Sequence, residues 1–258
     1  MSDSVRFDRA AEFYDASRAI APEAMERTIE LLAGELRGRG RTLEVGVGTG
    51  LLALPLHEAG VAVAGLDISG PMLSKLVDKA GGSPPFPLAL GDATRMPFAD
   101  DAFDAAYLRW VLHLVEDWRA LVAEVVRIVR AGGVFVANLG SYGGAHEEIR
   151  KRFEELTGFS TAPIGLDWDA FEELDAELAQ RGATLRILPS PYETFEETLE
   201  EFVRGIEENR YSWTWSVPEE LRLRAVAEIR PWAEDGFGAL DVVQPFSVDT
   251  TWRAYDLP

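Results

Sequence analysis

The chain reads as an open α/β sheet, mostly parallel and flanked by helices. Three observations carry that expectation. From about residue 41 to residue 138, apolar strand-like runs alternate with segments of helical spacing, as in βαβ units with right-handed crossovers. Val61-Ala62-Val63-Ala64-Gly65-Leu66-Asp67 is a continuously apolar run that ends in a carboxylate, which fits a parallel strand buried on both faces. Thr42-Leu43-Glu44-Val45-Gly46-Val47-Gly48-Thr49-Gly50 joins an apolar run to three alternate glycines, and Leu51-Leu52-Ala53-Leu54 then opens a helix. Strand, tight turn and helix form the first unit of such a sheet. Glycine lets the chain reverse with no side chain in the way, so that backbone can lie against a ligand. A dinucleotide turn places its third glycine one position later, where this chain has Leu51.

The elements follow in order. Phe7 to Ala21 holds Ala10, Ala11, Phe13 and Tyr14 in a short amphipathic helical segment. Pro22 begins a helix through Leu36, with Met25, Ile29 and Leu32 on one face, and Gly38-Arg39-Gly40 breaks it. After the glycine turn a helix runs to Ala59 and stops at Gly60. Ser69 caps the helix that carries Met72, Leu73, Leu76 and Val77, with Pro71 in its first turn. Pro87 to Leu90 is a third short strand and Phe103 to Leu108 a fourth. Asp117 caps a helix bearing Trp118, Leu121, Val122, Val125, Val126 and Val129. Arg127 and Arg130 lie in its last turn and Gly132-Gly133 ends it. Val134 to Asn138 is the fifth strand. Beyond Gly140 the alternation stops. Helices are predicted over 147–156, 168–180, 195–208 and 218–233, with a strand over 184–188 and a loose final strand over 242–255.

Composition excludes several functions. The chain has 258 residues, 47% of them hydrophobic, and no cysteine, so thiol chemistry, disulfides and Cys-ligated zinc are out; no metal site is expected. A formal charge of -19 opposes a nucleic-acid backbone, and the three lysines, Lys75, Lys79 and Lys151, form no basic patch. The first residues lack the apolar core of a signal peptide, and no apolar run is long enough to cross a bilayer. A soluble, cytoplasmic protein, monomer or homodimer, with no membrane or nucleic-acid partner is the expectation.

Four blocks, in order over about 40 to 138, resemble the class I S-adenosylmethionine-dependent methyltransferases, in particular the ubiquinone and menaquinone biosynthesis group and related small-molecule enzymes. They are Leu43-Glu44-Val45-Gly46-Val47-Gly48-Thr49-Gly50, Gly65-Leu66-Asp67-Ile68-Ser69, Gly91-Asp92-Ala93 with Met96-Pro97-Phe98, and Phe103-Asp104 through Leu112-His113 to Val129-Arg130-Ala131-Gly132-Gly133. Phe13-Tyr14-Asp15-Ala16-Ser17-Arg18 resembles the family's leading segment. The resemblance implies the Rossmann-like class I methyltransferase fold as a single domain over 1–258, with N-terminal helices over 1–40, a cofactor-binding core over 41–140, and cap helices with the last strands over 141–258. It also implies S-adenosylmethionine as cofactor, S-adenosylhomocysteine as product, and a small-molecule acceptor.

In that reading Asp67, at the end of the second strand, accepts from the ribose hydroxyls. Gly46, Gly48 and Gly50 admit the methionine part, and Glu44 orients its amino group, bonds the N–H groups of the turn, or does both. Asp92 and the Ala93 N–H meet the adenine, with Ile68 and Met96 on its faces. Tyr14, Val47, Met72 and Arg109 complete the implied contact set. Positioning the acceptor in line with the methyl group carries most of the rate, with a base needed for some O and N acceptors. His113 is the candidate base or a structural histidine near the cofactor, and Arg109 a candidate anchor for an anionic acceptor or a salt-bridge partner. His146 is a weaker candidate and His57 a surface or core residue. Tyr211-Ser212-Trp213-Thr214-Trp215 either walls the acceptor pocket or packs the cap. The alternative function is a regulatory protein that binds the cofactor without turnover. A nicotinamide oxidoreductase ranks third, disfavoured by Leu51.

Overall fold

The computed structural model describes residues 4–17, 22–140, 143–189, 193–248 and 251–258. Arg18 of the leading segment, and residues 249–250 of the loose final strand, lie outside them. The chain divides into two compact units, one holding 1–140, 164–191 and 250–258, the other 141–163 and 192–249.

Unit 1 begins with a 3₁₀ turn, Asp8–Ala10, and the short helix α1 (Tyr14–Ser17), in place of one longer amphipathic helix. There follow α2 (Pro22–Leu36), β1 (Arg41–Val45), α3 (Ala53–Glu58), β2 (Ala62–Asp67), α4 (Gly70–Lys79), β3 (Leu88–Leu90), β4 (Phe103–Arg109), α5 (Trp118–Ile128) and β5 (Val129–Asn138). The predicted caps are present: Ser69 Oγ accepts from the Met72 N–H at 3.3 Å, and Asp117 Oδ1 from the Ala120 N–H at 3.0 Å. After α6 (Ala145–Thr157), which belongs to unit 2, the chain returns to unit 1 for α7 (Phe171–Gln180) and β6 (Thr184–Ile187). Unit 2 resumes with β7 (Glu193–Thr198), α8 (Leu199–Glu207), α9 (Glu219–Phe237) and β8 (Val243–Val248), and β9 (Trp252–Asp256) closes unit 1.

The seven strands of unit 1 stand in the order β3-β2-β1-β4-β5-β9-β6. The first five are mutually parallel, and β9 is antiparallel to both of its neighbours. The sheet is therefore the mostly parallel, helix-flanked one that the alternation predicted. Successive residues serve opposite faces, as the pleat requires. Phe135 and Ala137 join Leu121, Val125 of α5 and Leu174, Leu178 of α7; Val134 and Val136 join Leu32, Leu36 of α2, Leu56 of α3 and Leu76 of α4.

Three boundaries differ from the sequence reading. The helix expected to run to Gly132-Gly133 ends at Ile128, and Val129 to Gly133 is strand. Phe103 pairs with Val129, the register then shifts, and Ala105 pairs with Val134. Arg130 Nε donates to Asp104 Oδ1 at 2.5 Å, and a Cβ at Gly133 would lie 2.7 Å from the Asp104 carbonyl oxygen, so this close pairing outweighs local helical spacing. The helix expected from Phe195 starts at Leu199, where Thr198 and Glu201 form a capping box, and the residues before it are β7, antiparallel to β8. The single loose strand over 242–255 is two, β8 and β9, in different units. In each case a partner distant in sequence overrides the local pattern.

In unit 2, α6, α8 and α9 enclose Ile149, Phe153, Phe202, Val203, Ile206, Val226 and Ile229. The aromatic run packs this core. Tyr211 is buried, its ring stacks on Trp213 at 5.4 Å, and Trp213 meets Phe153 edge-on at 5.4 Å.

Candidate active site

Parallel strands leave a crevice at their C-terminal ends. Here the ends of β1, β2, β3 and β4 meet around a recess. Its floor is the glycine turn. Gly46 and Val47 donate their N–H groups to the Leu66 carbonyl at 2.8 and 3.0 Å, which binds the turn to the tip of β2. Gly46 and Gly48 have φ of 73° and 55°, a region that side chains disfavour. A Cβ on Gly46 would lie 2.6 Å from Val111 Cγ2, so the bare backbone is also what allows the β4 end to approach.

Asp67 occupies the centre. Its Oδ2 accepts from the Gly48 N–H at 2.7 Å and its Oδ1 from the Ser69 N–H at 2.8 Å. Burial pushes its carboxyl above the usual carboxylate range, and these N–H bonds oppose that rise. The Ile68 N–H also bears on it, and the carboxylate still keeps acceptor capacity for a ligand hydroxyl. Ile68, Met72, Gly91 and Ala93 line one side; Arg109, Trp110 and Val111 at the end of β4 line another. The Arg109 guanidinium lies 4.0 Å over the Trp110 ring, and Trp110 holds φ of 56°, an outlier for a bulky residue.

The N-terminal segment supplies the rest of the wall. Ser4, Val5, Phe7 and Tyr14 line the recess. The Val5 N–H donates to the Leu114 carbonyl at 2.9 Å, Thr49 Oγ1 donates to Asp15 Oδ1 at 2.5 Å, and Lys79 Nζ pairs with Asp15 Oδ2 at 2.7 Å. Ser4, Val5 and Phe7 had no role in the sequence reading; the only signal was an apolar Phe7 ahead of the first strand.

Of the residues read from sequence, Tyr14, Gly46, Gly48, Asp67, Ile68, Met72, Ala93 and Arg109 thus come together, while Glu44, Val47, Gly50, Asp92 and His113 lie outside the lining. Val47 is in the core, where a Cβ on Gly65 would lie 2.8 Å from it. A Cβ on Gly50 would lie 2.9 Å from Leu76, so this glycine seats α4. Asp92 Oδ1 accepts from the Thr94 N–H at 2.9 Å and hydroxyl at 2.8 Å. The His113 ring lies 6.1 Å from Trp168. In unit 2, His146 is 2% exposed and meets Phe202 edge-on at 4.7 Å; burial pushes its imidazole down to about 4.

Glu44 is behind the wall. It is 4% exposed and stands directly across β1–β4 from Tyr107, whose hydroxyl donates to Glu44 Oε2 at 2.8 Å. Burial pushes its carboxyl up to about 8; the Tyr107 hydroxyl, Arg109 and the Ala53 N–H oppose the rise, and Asp67 adds to it. The backbone N–H that reaches Glu44 is that of Ala53, the first residue of α3, and not one of the glycine turn. The folded protein therefore holds a proton between the ordinary carboxyl value of 4.5 and about 8 that the unfolded chain has lost. That contribution to stability is lost as pH rises through this window, at up to about 1.4 kcal/mol per pH unit. Glu44→Gln should gain stability relative to wild type between pH 5 and 8 in urea unfolding. A difference that stays constant with pH would place the proton elsewhere.

Residues 43–137 match the family model of a methyltransferase domain. The chain is 38% identical over 128 residues to a phosphatidylethanolamine N-methyltransferase of Cereibacter sphaeroides, a match that covers 46% of this chain and 63% of that protein. It is 32% identical over 133 residues to a demethylmenaquinone methyltransferase of Mycolicibacterium paratuberculosis, covering 50% and 56%. The matched segment is thus little more than half the length of these relatives. Among solved structures, the YcgJ protein of Bacillus subtilis superposes with a TM-score of 0.60 at 18% identity, over 90% of this chain and 99% of that one. The [4+2]-cyclase SpnF superposes with 0.59 at 18% identity, over 98% and 94%. These structures share the fold. The resemblance to class I S-adenosylmethionine-dependent methyltransferases is borne out by the domain match.

Proposed function

We propose, on the premise that residues 43–137 are a methyltransferase domain, that the chain transfers a methyl group from S-adenosylmethionine to a small-molecule acceptor. The observation that supports this most is the recess in which Asp67 joins the end of β2 to the Gly48 N–H of the glycine turn. The residues fit the cofactor: a buried carboxylate with acceptor capacity left, a floor of bare backbone, and an apolar flank of Ile68 and Met72. Asp67 accepts from the ribose hydroxyls. Gly46 and Gly48 admit the methionine end, Ala93 faces the adenine edge, and Tyr14 covers the site from the N-terminal segment. The cofactor supplies a methyl group already activated on a sulfonium. Arg109 anchors the acceptor at the end of β4. S-Adenosylhomocysteine is the product.

The acceptor is small and not a nucleic acid, because a chain of net charge -19 opposes a polyanion. Unit 2 is an insertion of the same domain, a reading supported by the chain leaving unit 1 near residues 140 and 191 and returning each time. The test is incubation with methyl-labelled cofactor and, separately, the RNA, DNA, protein and small-molecule fractions of one cell extract. Label should enter the small-molecule fraction, and Asp67→Ala should sharply reduce it at cofactor concentrations below saturation. Label mainly in macromolecules would overturn the choice of acceptor, and cofactor binding with no label anywhere would overturn turnover.

A further inference from the structure

Helix α9 buries one stripe, Arg222, Ala225, Val226, Ile229 and Ala233, at i, i+3, i+4, i+7 and i+11. Four of the five are apolar and belong to the core of unit 2. The remaining position of the same stripe holds an arginine. Arg222 is 6% exposed, and its Nε and Nη1 are buried with no hydrogen-bond partner among the described residues. Buried cations are ordinarily paired, since desolvating one without a partner is strongly unfavourable.

A shortage of acids is not the reason. The chain has 44 Asp and Glu against 25 Lys and Arg. Two turns along α9, Arg230 pairs with Glu200 at 3.0 Å and Glu207 at 2.7 Å. Glu219 and Glu220, just before Arg222, are exposed. Arg222 also lies in the first turn or so of a helix of 19 residues, where the macrodipole disfavours a cation and favours an anion. An anion placed on this guanidinium would satisfy both.

We propose that Arg222 anchors an oxyanion site in unit 2 that takes the carboxylate or phosphate group of a small molecule. The guanidinium is planar and presents its donors as a fork, which matches the paired oxygens of these groups. The site is independent of the methyl-transfer reading, and its test does not involve the cofactor.

Thermal unfolding of the full chain is followed while sodium phosphate, or sodium benzoate, replaces sodium chloride at constant ionic strength. Wild type is compared with Arg222→Met and Arg222→Lys. Phosphate stabilises many proteins by exclusion from their surface, so the difference between chains is the readout. Wild type should show a saturable rise in Tm to at least one anion, about 3–5 °C at a tenfold excess over half-saturation. Arg222→Met should show only the non-saturable salt effect. Arg222→Lys keeps the charge without the fork and should need several-fold more anion for half-saturation. A response to phosphate alone assigns a phosphate group, and a response to benzoate alone a carboxylate. No saturable response in wild type, or an equal response in Arg222→Met, would overturn the site. If Arg222→Met does not fold, an unchanged half-saturation in Arg222→Lys overturns it instead.

Discussion

Asp67→Ala should weaken S-adenosylmethionine binding by roughly 30- to 150-fold, on the order of 2–3 kcal/mol. The carboxylate does two things at once. It offers acceptors to the recess, and it holds the turn by accepting from the Gly48 N–H at 2.7 Å and the Ser69 N–H at 2.8 Å. Alanine removes the acceptors and leaves both N–H groups without that partner, so the turn loosens as well. Asp67→Asn separates these effects, because its single carbonyl oxygen can keep one N–H while the net charge is gone. It should retain the melting temperature better than alanine and still bind the cofactor more weakly than wild type. Calorimetric titration of the three proteins decides this. Equal affinity in wild type and Asp67→Ala would mean that the carboxylate does not hold the ribose.

Gly165→Ala should cost about 3 kcal/mol and lower Tm by about 6–12 °C. An added Cβ would stand 2.2 Å from the Leu112 carbonyl oxygen and 2.3 Å from that of Val115, both backbone atoms. Neither can swing aside as a flexible side chain would. The Gly165 N–H bonds the His113 carbonyl at 3.2 Å and the Leu166 N–H the Leu112 carbonyl at 3.1 Å, so the segment is sealed onto the 3₁₀ turn Leu112–Leu114. Leu114 and Val115 line the recess, and cofactor affinity should fall together with stability. Gly34→Ala, in α2 with nothing within 4 Å of the added Cβ, is the control and should be neutral or stabilising by up to about 1 kcal/mol. Matching melting curves for Gly165→Ala and wild type would show that this backbone gives way easily.

Much of unit 1 was legible without coordinates because its signals are local. The apolar runs of β1 and β2, the alternate glycines, and the caps Ser69 and Asp117 each specify backbone within a few residues, and all lie where expected. Asp67 was legible for the same reason: a carboxylate that ends a buried strand after a glycine turn comes to the crevice wherever the sheet is parallel. The register of Val129 against Phe103 was not legible, nor was the pairing of β7 with β8, because helical or alternating spacing does not name a partner.

The site divides along the same line. By itself the sequence determined a parallel α/β core with glycine backbone and Asp67 at one end, since strand period, turn chemistry and capping depend only on neighbours in the chain. Only the tertiary structure decided that Glu44 faces Tyr107, 63 positions away, behind the pocket wall. The same holds for Val5 bound to Leu114 as part of that wall, and for Arg222 buried with no hydrogen-bond partner for its Nε and Nη1 among the described residues. Burial and desolvation depend on what distant segments bring to a side chain, and no local pattern of residues carries that information.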